Sequence, residues 1–464
     1  MCYSYSFAQN PNWTSLHPSG PEILDYLYKV CAKFQIQDKI QVNTDVTAIK
    51  WLEDVEEWEV TIAHMAPGAG DLSSAERKEL AASKGPEAVV LRTEIVRAKV
   101  VASAVGGLVE PKPYPDIPGL KSFEGEIVHT ARWKPDLDVS GKDVIVLGTG
   151  CSGAQVVPEL VKPEFNAKSV TQLMRSPGWT QPTFPPEVQT WWAKWMPTLC
   201  TYIPGFQQTI RKLMFGVLIE SEFLTLFRPT EAARHNREKK AKELIGYLKS
   251  IVPKQYQEIL TPDYEVGCKR RIIDTDWFRS LQHPKIDLTT LPLTKIHAKS
   301  VTLGPGRNYP PMSRTDSEAP TDEKEVPADI IIFANGYETG EWLHPLDVTG
   351  KGGKSLYEAW NERGGSQAYM GTAMDGFPNF FLIFGPNTAT GHSSVILASE
   401  NMVNYSLKFI KPILQGDIRT YEVKEKAERQ WTENLQRELK NSVWMSGGCT
   451  SWYRKGDWNA TVYP

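Results

Sequence analysis

Residues 141–155, Gly-Lys-Asp-Val-Ile-Val-Leu-Gly-Thr-Gly-Cys-Ser-Gly-Ala-Gln, constrain the fold more than any other part of the chain. Val144, Ile145, Val146 and Leu147 form a short, mostly β-branched run of the kind found in a central parallel strand. Gly148, Gly150 and Gly153 follow at G-x-G-x-x-G spacing. The first glycine of such a run permits a tight turn, the second lets backbone approach a pyrophosphate, and the third lets a helix pack against the strand. Val156, Val157 and Leu160 continue as an apolar helical pattern, which would point the unsatisfied N–H groups of the helix's first turn at the phosphates. The glycine spacing alone also occurs in turns that bind nothing. Here the strand before it and the helix after it favour a dinucleotide site in an α/β sheet.

The end of the next strand selects the dinucleotide. NAD sites place an acidic residue roughly 20 positions on, where it takes the ribose hydroxyls, and a basic residue there accommodates a 2′-phosphate. Ser169 to Met174 reads as that strand and ends in Arg175, twenty-two residues after Gly153. No Asp or Glu stands there, and a guanidinium fork matches a phosphate, so NADPH is expected rather than NADH. Thr149, Ser152, Gln155 and Ser176 complete the expected cofactor contacts. The alternative for Arg175 is a solvated charge at a strand end.

Bulk properties narrow the function class. A chain of 464 residues with 41% hydrophobic content can bury sizeable cores, and the length suggests about three domains. A net charge of −3 argues against nucleic acid or an anionic membrane as the main partner. Cys2, Cys31, Cys151, Cys200, Cys268 and Cys449 show neither CxxC nor zinc-ligand spacing, so reduced thiols and no metal site are expected. No apolar run reaches the roughly 18 residues of a membrane span, and the first residues lack a signal-peptide pattern, so a cytoplasmic location is expected.

The remaining segments suggest a nested order. Pro21 to Phe34 reads as a helix, Ile40 to Trp51 and Trp58 to Ile62 as extended, and the polar stretch Ala66 to Ala88 as a surface loop or disordered insertion. Ile95 to Ala102 reads as a strand that leads to Gly106-Gly107. Residues 177–262, rich in Trp, Pro and Leu, read as helical, with the charge run Arg234 to Glu243 as a solvated helix face. Ala328 to Phe333 and Phe380 to Phe384 are apolar strands followed by glycine-bearing turns.

The segment Phe123-Glu-Gly125-Glu-Ile-Val-His129-Thr-Ala-Arg-Trp133 fits F-x-G-x-x-x-H-x-x-x-W and stands just ahead of the dinucleotide strand. In this the chain resembles the Baeyer–Villiger monooxygenases, flavoenzymes that insert oxygen beside a ketone. The glycine turn, Gly267-Cys268-Lys269-Arg270-Arg271 and Ser451-Trp452-Tyr453 carry the same resemblance over nearly the whole chain. Lys134 and Asn335 depart from the family's usual residues without altering a reacting group.

The resemblance implies an α/β architecture of two dinucleotide-binding, Rossmann-like domains, with the FAD domain split around the NADPH domain. The implied division is 1–135 FAD domain, 136–178 NADPH domain, 179–265 helical insertion, 266–315 NADPH domain again and 316–464 FAD domain with the tail. In the family an FAD glycine motif and a catalytic Asp precede a segment like Tyr3-Ser4-Tyr5-Ser6-Phe7, where this chain starts. The FAD domain is therefore expected to be N-terminally incomplete, the chain as given is expected to hold FAD poorly, and whether Met1 is the true start is left open.

Roles follow from the same resemblance. Arg270 is implied as the catalytic cation beside the flavin, and Lys269 as a partner of Arg175 at the NADPH 2′-phosphate; a solvated basic turn is the alternative. His129 and Trp133 are implied at the junction of the nucleotide domains, with His129 donating one ring N–H to backbone, and packing is the alternative. Trp452 would line the substrate pocket or anchor the tail. Gly385-Pro386-Asn387 would bring backbone N–H groups, that of Asn387 among them, to the isoalloxazine. His392 reads equally as a capping-region or a functional residue. The implied activity takes NADPH, O2 and a ketone to an ester or lactone, and the tail resembles fungal enzymes of secondary metabolism. An N- or S-oxygenating flavin monooxygenase is one alternative, and a non-catalytic NADPH-binding relative or partner subunit is another. Oligomeric state is not read from the sequence.

Overall fold

The apolar run at 143–147 becomes the middle strand of a five-stranded parallel sheet. Its order is Ile286–Thr289, Ser169–Leu173, Asp143–Leu147, Ile330–Phe333 and Glu126–His129. The structure is a computed structural model that describes residues 3–310, 320–340, 342–389 and 394–463. Val144, Val146, Val157, Leu160, Trp277 and Phe278 share one buried cluster on one face of the sheet. Ile145, Ile331 and Phe333 point the other way, against an antiparallel sheet of Leu293–Ile296, Ser300–Leu303 and Lys324–Pro327. Alternation along buried strands thus feeds two cores from one run of residues.

This sheet crosses two of the expected boundaries. Glu126–His129 lies before residue 136 and Ile330–Phe333 after residue 315, yet Ile330–Phe333 pairs with the dinucleotide strand and Glu126–His129 pairs with Ile330–Phe333 in the same sheet. The apolar pattern marked Ile330–Phe333 as a strand, whereas Glu126–His129 stood in the F-x-G-x-x-x-H-x-x-x-W segment and was not read as one; which sheet a strand joins depends on long-range pairing that no local pattern carries.

The second unit holds a four-stranded sheet ordered Asp347–Thr349, Thr44–Leu52, Glu57–Met65 and Val90–Ala98. Trp51, Trp58, Leu356 and Trp360 fill its core, joined by Phe380 and Leu382. Val101–Ser103 pairs in parallel with Phe380–Leu382. Under this unit Arg363 donates to both carboxylate oxygens of Asp375, at 2.6 and 2.9 Å, and to Glu428 Oε1 at 3.1 Å. Burial pushes Glu428 up to about 8.

Three other expectations change. The stretch 66–88 is ordered: Ser74–Lys84 is a helix whose Ser73 and Glu76 form a reciprocal capping box. Ala66, Ala69 and Val89 bury against Ala63 and Met65. Within the charge run of the Glu231–Ile251 helix, Arg237 is buried, donating to Leu226 O at 2.8 Å and pairing with Glu265. Cys268 and Cys449 form a disulfide, whereas Cys31, Cys151 and Cys200 are free. Cys2 and His392 lie outside the described residues. Among those described, no helix is long and apolar enough to cross a membrane, and no three His, Cys, Asp or Glu side chains group as metal ligands.

Candidate functional site

The glycine turn shows why two of its three glycine positions exclude a side chain. Gly148 has φ 122°, and a Cβ there would stand 2.5 Å from Ala334 O. A Cβ on Gly153 would stand 2.3 Å from Gly148 O, so the helix could not approach the strand. At Gly150, by contrast, a Cβ would meet nothing within 4 Å, which leaves open space on the side where a ligand would sit. Gly150 caps the Cys151–Leu160 helix with no side-chain hydrogen bond. The helix therefore presents first-turn N–H groups and the positive end of its dipole without a competing internal acceptor. Ser152 is half-buried in that first turn and Gln155 is exposed one turn on.

One residue that fixes the turn escaped the sequence reading. Gln172, fully buried in the Ser169–Leu173 strand, donates from Nε2 to Gly148 O at 2.9 Å and accepts from Trp277 Nε1 at 2.9 Å. A glutamine in the middle of an apolar strand was the available signal, since a buried amide needs partners.

Behind the turn the expected cations meet. Thr149 Oγ1 donates to Ser176 O at 3.4 Å, and Lys269 Nζ donates to Ser176 Oγ at 3.4 Å. Burial, with the Arg175 charge adding to it, lowers Lys269 to about 8. Its ammonium also sits 4.7 Å from the centre of the Tyr264 ring. Arg175 is exposed beside it. Two like charges held together, one of them half-buried, form a site that a phosphate would relieve.

The C-terminal tail closes over the same loop. The Cys268–Cys449 disulfide joins them, and Glu265 N–H donates to Gly447 O at 2.9 Å. Tyr453 is buried there; burial raises its hydroxyl pKa, while the Arg270 charge and backbone act on it in the opposite sense. Arg270 itself is exposed. Trp452 is 36% exposed, its ring 4.5 Å from that of Tyr453, and its carbonyl accepts from Thr339 Oγ1 at 2.9 Å. The structure thus brings Gly148–Gln155, Arg175, Ser176, Lys269 and Arg270 around one loop and the tail.

His129 and Trp133 flank the turn Thr130–Arg132 at the end of the edge strand. His129 is buried, and its Nδ1 accepts from Ala131 N–H at 3.0 Å, the reverse of the expected donation. The proton of the neutral ring therefore belongs on Nε2, which is buried beside Asn335 and Gly336. Burial keeps the ring neutral by lowering its pKa. Trp133 is 37% exposed.

Asn387 departs from expectation. Its N–H donates to Ala460 O at 2.9 Å and its amide to Asn459 O and Val462 O at 2.7 and 3.0 Å. Because the tail occupies the donors that were expected to face a cofactor, Asn387 anchors the tail. At the ends of the Val101–Ser103 and Phe380–Leu382 strands a crevice of about 10 Å³ is lined by Ser103, Gly106 and Gly385. Ser103 Oγ is buried there with no partner.

Comparison with known proteins adds five findings. A family model described as flavin-binding monooxygenase-like matches residues 1–182. The chain is 31% identical to the FAD-binding monooxygenase ktnD of Aspergillus niger, covering 99% of this chain and 69% of that protein. It is 30% identical to a Baeyer–Villiger monooxygenase of Pseudomonas aeruginosa, covering 100% and 77%. Among solved structures, a closed cyclohexanone monooxygenase superposes with TM-score 0.75 at 22% identity, covering 100% of this chain and 83% of that one. An oxidised steroid monooxygenase bound to NADP gives 0.73 at 24%, covering 99% and 84%. At those identities the structural likeness speaks to fold.

Proposed function

The chain belongs to the flavin-binding monooxygenases of Baeyer–Villiger type, and from that premise we propose that it uses NADPH and O2 to convert a ketone to an ester or lactone. The observation that carries the reading is the glycine turn with Lys269 and Arg175 behind it: an anion-binding helix end and two cations, one of which burial and its neighbour have brought down to about 8.

The residues present fit NADPH. Gly148, Gly150 and Gly153 would admit the pyrophosphate, the first turn from Cys151 to Gln155 would donate to it, and Arg175, Lys269 and Ser176 would hold the 2′-phosphate. For FAD the fit is partial. The unpartnered Ser103 Oγ and the turns at Gly106 and Gly385 stand where parallel strands end, the usual place for a nucleotide. A crevice of about 10 Å³ meets an edge of such a group rather than enclosing it. When bound, the flavin supplies the electron transfer from NADPH that activates O2.

The protein's own contributions are electrostatic and positional. Arg270 carries a guanidinium, whose fixed positive charge would be offered to an oxygen that turns anionic during insertion. Tyr453 and the disulfide hold the loop that carries Arg270 against the tail. Trp452 presents an indole edge to solvent beside that loop and would cover an apolar ketone. His129, neutral and buried, orients the end of the edge strand rather than moving a proton.

A substrate panel tests the proposal. With NADPH, FAD and a form of the protein that carries an FAD glycine motif, a cyclic ketone is expected to yield a lactone, and an amine or sulfide of similar size to yield little oxide. Oxides as the main products, with ketones recovered unchanged, would favour the N- or S-oxygenating alternative.

A further inference from the structure

Gln172 has no exposed surface, and its side chain lies between the dinucleotide turn and the buried Trp277. An indole N–H can only donate, so the oxygen of the Gln172 amide faces Trp277 and the nitrogen is left to face Gly148 O. The Ser169–Leu173 strand therefore grips Gly148 twice. Leu173 O accepts from Gly148 N–H at 2.9 Å, and the Gln172 amide donates to Gly148 O at the same distance. The same amide nitrogen would stand 3.2 Å from a Cβ on Gly153, so it occupies the corner where strand, turn and helix meet.

This grip has a direction. A trans peptide sets its C=O and the N–H that follows on opposite sides of the chain. With Gly148 O drawn inward to Gln172, the N–H of Thr149 turns the opposite way, out of the core that holds Trp277. Gly148, at φ 122°, has no Cβ to resist rotation of this peptide, so the orientation of the plane is left to its hydrogen bonds. Trp277 in turn lies on the chain segment that carries Lys269 and Arg270, so the same pair of hydrogen bonds joins that segment to the turn.

We propose that Gln172 is a positioning residue for the dinucleotide pyrophosphate: with its oxygen held by Trp277, its nitrogen fixes the Gly148–Thr149 peptide in the orientation that turns an N–H towards phosphate. The proposal rests on the NADPH reading above and adds to it a side chain that, having no exposed surface, touches no part of the cofactor.

The test is calorimetric titration of the full chain, and of its Gln172→Leu and Trp277→Phe variants, with NADPH and with NADH, together with displacement of NADPH by 2′-AMP, which carries the 2′-phosphate and no pyrophosphate. Gln172→Leu should weaken both dinucleotides by the same factor, about tenfold, as for the loss of one buried hydrogen bond, and leave the affinity for 2′-AMP unchanged. Trp277→Phe keeps the amide but frees it to turn over, and should weaken both dinucleotides several-fold in the same pattern; it carries the test where Gln172→Leu does not fold. This pattern differs from that of Arg175→Ala, which acts on NADPH and spares NADH. A glutamine that served only the core would lower the melting temperature and leave all of these affinities in place, or would weaken 2′-AMP along with the dinucleotides. Either result overturns the proposal, as does a loss confined to NADPH. Binding of neither dinucleotide by the unaltered chain would instead bring down the NADPH reading, and the proposal with it.

Discussion

Arg270→Ala, made in a form of the protein that carries an FAD glycine motif, is expected to slow ester formation by about a hundred- to a thousandfold, the usual cost of removing one preorganised donor to a developing oxyanion. NADPH should still bind and still be oxidised, because that half of the reaction does not need the cation. Arg270 is the member of the Lys269-Arg270-Arg271 run whose charge is left for this task. Lys269 is held at Ser176 beside Arg175, and Arg271 is paired with Glu222, whereas Arg270 is exposed at the tail. Parallel assays of NADPH consumption and ester yield separate the two halves. Undiminished ester formation would make Arg270 a surface charge and remove the electrostatic basis of the proposed chemistry.

Arg363→Met is expected to cost about 3–5 kcal/mol of stability, since removing one member of a buried ionic cluster leaves the others uncompensated. Arg363 serves Asp375 and Glu428 together, and the Glu428 side chain is fully buried. The pH dependence has a definite sign. Glu428 is raised in the folded protein from 4.5 to about 8, so the folded state binds the extra proton and this group's contribution to stability declines as pH rises between those values. Without Arg363 the decline should steepen, and chemical denaturation should show a larger deficit at pH 9 than at pH 5. An equal deficit at both would mean that lost packing, not charge, dominates.

Much of the dinucleotide unit was legible because its signals are local. A short β-branched run that ends in glycines reads as a buried strand, and the glycine spacing predicts a turn whose atoms then forbid a Cβ at Gly148 and Gly153. The basic residue at the strand end was likewise a local feature. What the sequence hid was set by long-range contact. Cys268 and Cys449 are 181 residues apart, so no spacing rule could pair them. Arg237 looked like one more charge in a solvated run until Glu265 and two carbonyls came to it from other elements. The helix at 74–84 is a different case: Ser73 and Glu76 were a capping signal in plain view, outweighed by polar composition. His129 was expected at the junction of the nucleotide domains, and the direction of its hydrogen bond depended on the turn that follows it.

The central claim is that the glycine turn, Arg175 and Lys269 together form a site for the 2′-phosphate of NADPH. Its most direct test is a binding titration of the chain with NADPH and with NADH, repeated with Arg175→Ala. NADPH should bind tighter than NADH, and Arg175→Ala should cost NADPH about 1.5–3 kcal/mol while leaving NADH nearly untouched. Because Lys269 loses its proton from about 8 upward in the free protein, the preference should shrink as pH rises past that value, with protons taken up on binding there. Equal affinities for the two dinucleotides, at neutral pH and in both proteins, would contradict the account.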